Sequence, residues 1–355
     1  MKILHHNDAD GRCAAALVGM ELNTIYSNLK REDFIEYNYS SGITLPDVVK
    51  NEEVYIVDIS LNNLTYEFLK YFLDNGCKVI YIDHHKSTGD FLEEAGNNNQ
   101  IREYLKHDSL TIFYKSEINS GEEITRVSAT MLTWIFSCMT DTEKQYPNSV
   151  NFDFSETFSH VALNIDDPNE MREYFIPTPI RFIDDYDVWR KALDDTDAFH
   201  EGYKIVTNED THPYSDFWKD LIYDKPSLTF DIIKSGNICL KYRDAEYSRI
   251  IKNAFVYNIE GHKTLCLNAV GVNSSVFGDK IHEYPMVCVY NYNGNTHSWK
   301  YSFYSSEKNP DSVDCSEVAK ALDVNGGGHR NASGCKLVYN YFDDNSDSCS
   351  STENY

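Results

Sequence analysis

Short apolar runs separated by charged clusters recur along this chain, and in its first quarter they follow a regular order. Residues 2–7 read as an extended strand, and Gly11 followed by Cys13-Ala14-Ala15-Ala16-Leu17-Val18 reads as the start of a small-residue helix packed on a sheet. The runs Val54–Val57 and Lys78–Ile82 are short, apolar and β-branched, the composition of strands covered on both faces. Between them, Leu64 to Leu73 has helical spacing, so the pattern is β-α-β. Each strand ends in polar residues: His6-Asn7-Asp8-Ala9-Asp10 after the first, Asp58 after the second, and Asp83-His84-His85 after the third. Open α/β sheets bind ligands beyond the carboxyl ends of their strands, so these clusters predict one convergent site.

Downstream the pattern is less regular. Residues 88–123 lose apolar periodicity and read as an irregular insertion before a helix at 124–139. An apolar run then ends in three carboxylates, Asp184, Asp185 and Asp187. A helical stretch at 227–254 leads into strand-like segments at 254–269 and 285–304, a helix at 315–322 and a glycine turn. The fold expected is α/β: an N-terminal doubly wound, mainly parallel sheet and a smaller C-terminal α/β domain. The expected limits are 1–225 for the catalytic domain, 226–255 for a helical linker, 256–340 for the second domain and 341–355 for a disordered acidic tail.

Composition narrows the substrates. With 32 Lys+Arg against 56 Asp+Glu, the formal charge of −24 repels a long polyanion, so a nucleic-acid substrate should be short and no long duplex is expected. Two divalent ions would offset only about four of those charges. Nine cysteines, an odd number without a C-x-x-C pair, read as free thiols of a reducing cytoplasm. No apolar run is long enough to span a bilayer, and the first residues lack a secretory signal, so a cytoplasmic protein without a membrane partner is expected.

The polar clusters supply candidate chemistry. His6, Asp8 and Asp10 alternate, which in an extended stretch puts all three on one side, where they can share a cation; helix capping is the competing reading of the aspartates. Asp58, alone at a strand end, suits a bridge between two ions. In Asp83-His84-His85-Lys86-Ser87, one histidine can face metal and the other substrate, with the carboxylate orienting a ring. Oxygen and imidazole donors without cysteine favour Mn²⁺, with Mg²⁺ the alternative, over structural zinc. Gly326-Gly327-Gly328 can let backbone approach a phosphate, with His329 and Arg330 supplying positive charge.

Taken together, HNDADG, VDIS, IDHHKS, IDDYDVW and GGGHRNASG resemble the DHH phosphoesterases with an attached DHHA1 domain, in family order and over residues 6–334. The resemblance implies a dinuclear, usually Mn²⁺, phosphohydrolase with its active site in the cleft between the two domains. It implies that His6 and Asp8 bind the first ion, and that Asp10, His84 and an aspartate of IDDYDVW, for which Asp185 is chosen, bind the second. Asp58 would bridge them. Asp83 would orient His84, and His85 would meet the scissile phosphate or protonate the leaving oxygen. His6 stands in for a histidine that some relatives place where this chain has Leu4, with His5 as its competitor. Where relatives often carry Ser-Leu-Arg-Ser, this chain has Ser302-Phe303-Tyr304-Ser305, so Tyr304 joins Gly326, Gly327, Gly328, His329 and Arg330 as a candidate substrate contact; Asn273, Ser274 and Ser275 are further candidates.

The function expected is hydrolysis of very short oligonucleotides to mononucleotides by two-metal activation of water, resembling oligoribonucleases. Cleavage of cyclic or linear signalling dinucleotides, or of pAp, would use the same groups. A catalytically inactive nucleotide-binding protein is the non-enzymatic alternative, and a homodimer is compatible with any of these.

Overall fold

The computed structural model describes residues 1–25, 29–39, 50–96, 98–120, 123–154, 159–164, 171–206 and 211–344. It divides into two compact units, Met1–Leu240 and Lys241–Tyr355. Among the described residues, no helix is long and apolar enough to cross a membrane. The eight described cysteines are free thiols; Cys349 lies outside those residues.

In the first unit, strand β1 (Lys2–His6) leads into helix α1 (Ala9–Ile25), followed by β2 (Phe34–Tyr37), β3 (Glu53–Val57), α2 (Asn63–Asp74) and β4 (Lys78–Asp83). Helices α3 (Lys86–Ala95) and α4 (Asn99–Leu105) then precede β5 (Leu110–Tyr114). The five strands form a wholly parallel sheet of order β2-β1-β3-β4-β5. Its residues alternate between two cores. Ile3, Tyr55, Val57, Ile80 and Ile82 pack with α1, whereas Leu4, Val54, Ile56, Val79 and Tyr81 pack with α2 and α3. Burial on both faces explains why these strands are continuous apolar runs.

Residues 88–123 are thus not an irregular insertion. They hold most of α3, all of α4, the sheet's edge strand β5 and much of a hairpin, β6 (Glu117–Ser120) with β7 (Glu123–Arg126). Strand β5 is buried mainly at Phe113, so only one of its side chains is fully hidden and the apolar signal of a central strand is missing. The expected helix at 124–139 begins later, as α5 (Ala129–Cys138), because β7 occupies its first residues.

The unit continues with an antiparallel sheet, β8 (Asn151–Phe154), β9 (His160–Asn164) and β10 (Met171–Phe175), and then α6 (Thr178–Asp187), α7 (Thr196–Tyr203), α8 (Asp216–Lys219) and α9 (Pro226–Ile250). The division between units falls within α9.

The second unit holds β11 (Phe255–Ile259), β12 (His262–Asn268), β13 (Met286–Asn293), β14 (Ser298–Tyr304), α10 (Cys315–Leu322), β15 (Gly327–His329), β16 (Ala332–Leu337) and α11 (Tyr341–Asp344). Its six-stranded sheet has order β11-β12-β13-β14-β16-β15, parallel only between β12 and β13. The segment expected to begin a disordered tail starts instead with α11, whose Phe342 packs against Tyr290 and Tyr257. The remainder of that tail, 345–355, lies outside the described residues.

Candidate metal centre

The strand order of the parallel sheet reverses between β1 and β3, and the polar residues after β1, β3 and β4 meet at this switch point. His6 ends β1. Its Nδ1 lies 2.8 Å from Asp8 Oδ2 and 3.7 Å from Asp58 Oδ2. Asp8 Oδ1 accepts a hydrogen bond from Gly11 N at 2.9 Å, so one carboxylate both closes the first turn of α1 and faces His6. Gly11 is dictated by space, because a Cβ there would stand 2.5 Å from the His6 carbonyl oxygen.

Asp10 is buried in the first turn of α1. Its Oδ1 accepts from Thr130 N and its Oδ2 from Ala129 N, each at 2.8 Å, which satisfies two exposed N–H groups at the start of α5. Its Oδ2 also lies 3.7 Å from His84 Nε2.

Asp58 follows β3 with φ of +57°, a left-handed conformation that aspartate tolerates better than most residues and that turns its carboxylate away from the strand's own alternation. It is buried, and its Oδ2 has no hydrogen-bond partner among the described residues. The His84 Nε2 atom lies 3.4 Å from Asp58 Oδ1 and 3.4 Å from Asp187 Oδ2.

Two groups of donors result, His6-Asp8-Asp58 and Asp10-His84-Asp187, each with ligand atoms within 4.8 Å of one another. Asp58 touches both, because its two oxygens face His6 and His84. A third overlapping group joins Asp58 to Asp83, His84 and His85.

Two expectations from the sequence are corrected here. Asp185 does not face the cluster. Its Oδ1 accepts from Ala192 N at 3.0 Å, and its Oδ2 accepts from Leu193 N at 3.1 Å and from the Thr196 hydroxyl, so it ties the end of α6 to the start of α7. Asp187, half a turn further on α6, takes the place beside Asp10 and His84. Asp184 is also committed elsewhere, to Ser128 N at 2.7 Å and Arg190 at 3.1 Å. The second correction concerns Asp83. Its Oδ1 lies 2.8 Å from His85 Nδ1 rather than against His84, while its Oδ2 accepts from the Thr88 hydroxyl.

The electrostatics follow from crowding carboxylates in a buried site. Burial opposes the charge of His6, but the adjacent carboxylates of Asp58 and Asp8 win and raise its pKa to about 11. His84 is raised too: burial works against its charge, and Asp187 and Asp10 outweigh it. Burial and then the neighbouring carboxylates push Asp58 and Asp187 well above the usual range. Burial likewise acts to raise Asp83, yet the adjacent His85 holds it at about 2. Oxygen and imidazole donors, an unpartnered buried carboxylate oxygen and carboxylates that resist shared ionisation together fit divalent cations.

Neighbouring groups carried no sequence signal. The Tyr39 ring sits 5.2 Å from that of His6, and its hydroxyl accepts from Ser60 N at 2.7 Å. Tyr39 lies past the end of a short strand, without a charged motif around it. His5, the competitor of His6, is buried, has its Nδ1 against the His6 carbonyl oxygen at 2.7 Å, and is held near 4 by burial; it joins neither donor group.

The remaining candidates belong to the second unit. Gly326 lets the turn pass helix α10, since a Cβ would stand 2.3 Å from the Ala319 oxygen. Gly328 has φ of +141°, and strand β15 pairs with β16 through Gly327, Gly328 and His329. His329 and Arg330 are exposed, with Arg330 4.0 Å from Asp314. Tyr304 is half-buried at the end of β14. Asn273 caps a short helical turn by accepting from Ser275 N at 3.1 Å, a role within the loop itself.

Residues 1–137 match the model of the DHH family, N-terminal domain. No curated protein matches the chain. Among solved structures, a DHH domain described as a member of a family of ribosomal proteins is 12% identical with a TM-score of 0.52, covering 94% of this chain and 82% of that one. A pGpG-specific phosphodiesterase from Vibrio cholerae is 12% identical with a TM-score of 0.48, covering 97% and 95%. RecJ from Thermus thermophilus in complex with Mn²⁺ is 12% identical with a TM-score of 0.46, covering 95% and 49%. The first of these likenesses is one of fold.

Proposed function

Starting from a chain whose residues 1–137 match the N-terminal domain of the DHH family, we propose that it is a phosphodiesterase that uses two divalent metal ions, Mn²⁺ in preference to Mg²⁺, to hydrolyse very short oligonucleotides. His6, Asp8 and Asp58 would hold one ion, and Asp10, His84, Asp187 and Asp58 would hold the other. The observation that carries this reading is Asp58, with one oxygen 3.7 Å from His6, the other 3.4 Å from His84, and a backbone conformation that aims it between them. A carboxylate so placed is suited to bridging.

When bound, two such ions supply Lewis acidity toward phosphoryl oxygens and make an attacking water more acidic. The protein's own groups do the rest. Asp83 anchors His85 at Nδ1, so Nε2 is the atom that offers a proton to a phosphoryl or leaving oxygen. Burial, countered by Asp83, leaves His85 with a raised pKa, which favours this donor role. In the second unit, the exposed His329 and Arg330 and the backbone of Gly326, Gly327 and Gly328, with Tyr304, are proposed as contacts of a DHHA1-like domain with the nucleotide. A formal charge of −24 favours a short substrate over a long one.

The test is a panel of RNA and DNA oligonucleotides of graded length, cyclic and linear dinucleotides, and pAp, assayed with Mn²⁺, with Mg²⁺ and with chelator. Metal-dependent release of mononucleotides, fastest for the shortest oligonucleotides, is expected. Fastest turnover of a cyclic dinucleotide or pAp would replace the substrate, and no hydrolysis of any of them by metal-loaded protein would leave a nucleotide-binding protein.

A further inference from the structure

Beside the metal centre, the first unit contains a cavity of about 230 Å³. Asp8, Asp10 and Asp187 line it on the side shared with the metal cluster. The rest is apolar and aromatic, chiefly Tyr186, Trp189, His200 and Tyr203 over a floor of Phe182 and Phe199. Four features bear on what it holds.

The rings of Tyr186 and His200 stack with centroids 3.3 Å apart and planes within 8°, so each covers one face of the other and the pair offers an outer face for stacking. Trp189 lines the cavity and is 45% exposed, so a large part of the indole is open to contact. The Lys191 ammonium stands 3.8 Å from its ring centroid and the Tyr186 ring meets it in a T-shaped contact at 5.3 Å, so the indole is held in place beside the cavity it lines. The hydroxyl of Tyr203 is buried beside Thr211 and brings a polar atom to the cavity that the ring lines. The acidic lining groups are the three aspartates of the proposed metal centre, which sets the cavity directly beside it.

A flat, uncharged ring system with hydrogen-bonding edges meets each of these conditions. The volume is below the roughly 300–1,000 Å³ of pockets for drug-sized ligands, which suits one base and not two. We infer that this cavity is the subsite for the nucleobase next to the scissile phosphate, with Trp189 and the Tyr186–His200 pair as its stacking surfaces and Tyr203 as a polar contact to the base edge. The inference rests on the proposed metal centre for the position of the phosphate. Because base–aromatic stacking tolerates any base, the site would select for the presence of a base more than for its identity.

The test is equilibrium binding, by calorimetry, of AMP and of ribose 5-phosphate to the Mn²⁺-loaded full chain. AMP is expected to bind about tenfold more tightly or better, in line with the loss of roughly 1–3 kcal/mol per stacked base on alanine substitution. Trp189→Ala should reduce AMP binding to the level of ribose 5-phosphate without changing bound metal, Trp189→Phe should retain most of the preference, and Tyr203→Phe should lower it a few-fold. Equal affinity of wild-type protein for the two ligands, or a preference untouched in Trp189→Ala, would overturn the inference. If Trp189→Ala loses metal or fold, Tyr203→Phe decides: a base preference unchanged in that variant would overturn the inference. A base preference in protein that hydrolyses nothing would leave the subsite standing while the proposed hydrolysis fails.

Discussion

Asp83 Oδ1 and His85 Nδ1 lie 2.8 Å apart, although one residue separates them and His84, between them, turns its Nε2 toward Asp58 and Asp187. Adjacent histidines therefore have separate duties: one sits among the metal-directed carboxylates, and the other is held by a buried carboxylate. Asp83→Asn keeps the shape and removes the charge that sustains the proton on His85. The raised pKa of His85 should fall, so the alkaline limb of the kcat profile moves to lower pH, and kcat should drop by about 10–100-fold with bound metal unchanged. A pH–rate series of both proteins checks this.

Asp58→Ala should remove metal from both sites and lower turnover by orders of magnitude. Asp58→Asn gives a sharper readout in chelator. The folded-state pKa of Asp58 is pushed above that of the unfolded chain, so the native state retains a proton the unfolded chain releases, and stability is lost as pH rises above the unfolded value near 4. Removing that ionisation should make metal-free Asp58→Asn melt above metal-free wild type at pH 7, while added Mn²⁺ raises its Tm less. A lower Tm in chelator would count against the repulsion described for this site.

The aspartates of α6 should separate by phenotype. Asp187→Ala should halve the metal bound per chain and cut activity at least about 100-fold, with stability in chelator maintained or improved, since its pKa is also raised by burial and nearby carboxylates. Asp185→Ala leaves the N–H groups of Ala192 and Leu193 and the Thr196 hydroxyl without their acceptor, which should cost about 2 kcal/mol or more of stability while metal stoichiometry in the folded fraction stays at two. Elemental analysis and thermal melts of the pair test the assignment, and the opposite pattern would return Asp185 to the metal.

Metal binding should release protons. His6, raised to about 11, is protonated at pH 7 in metal-free protein and must lose that proton to ligate. Metal affinity should therefore increase with pH across the neutral range, with proton release visible as a dependence of the calorimetric heat on the buffer. The ion-pair stability from His6 has its own sign: with a folded pKa above the unfolded value, it is fully present below about 6.5 and is lost as pH rises through about 11.

His329→Ala should raise KM several-fold for nucleotide substrates and leave metal content unaltered, because the side chain is exposed on the strand pairing with Ala332 in the second unit. Loss of metal from this variant would assign the residue a different role.

The sequence alone determined the β-α-β order, the doubly wound parallel sheet and the strand ends that carry His6, Asp58 and Asp83-His84-His85. These were legible because double-sided burial demands unbroken apolar runs, and a polar cluster directly after such a run has one place to go. Strand β5 escaped notice because an edge position buries only part of its surface. The choice between Asp185 and Asp187 was also beyond reach: both lie on α6 two residues apart, and only the approach of Ala192, Leu193 and Thr196 claims one and leaves the other to His84. Likewise, spacing could not tell which histidine Asp83 would hold, since that depends on the turn after β4 and on Asp10 and Asp58 drawing His84 to themselves. Local pattern decided which residues stand at the ends of the strands; tertiary contacts from distant segments decided which of their oxygens and nitrogens remain to face an ion.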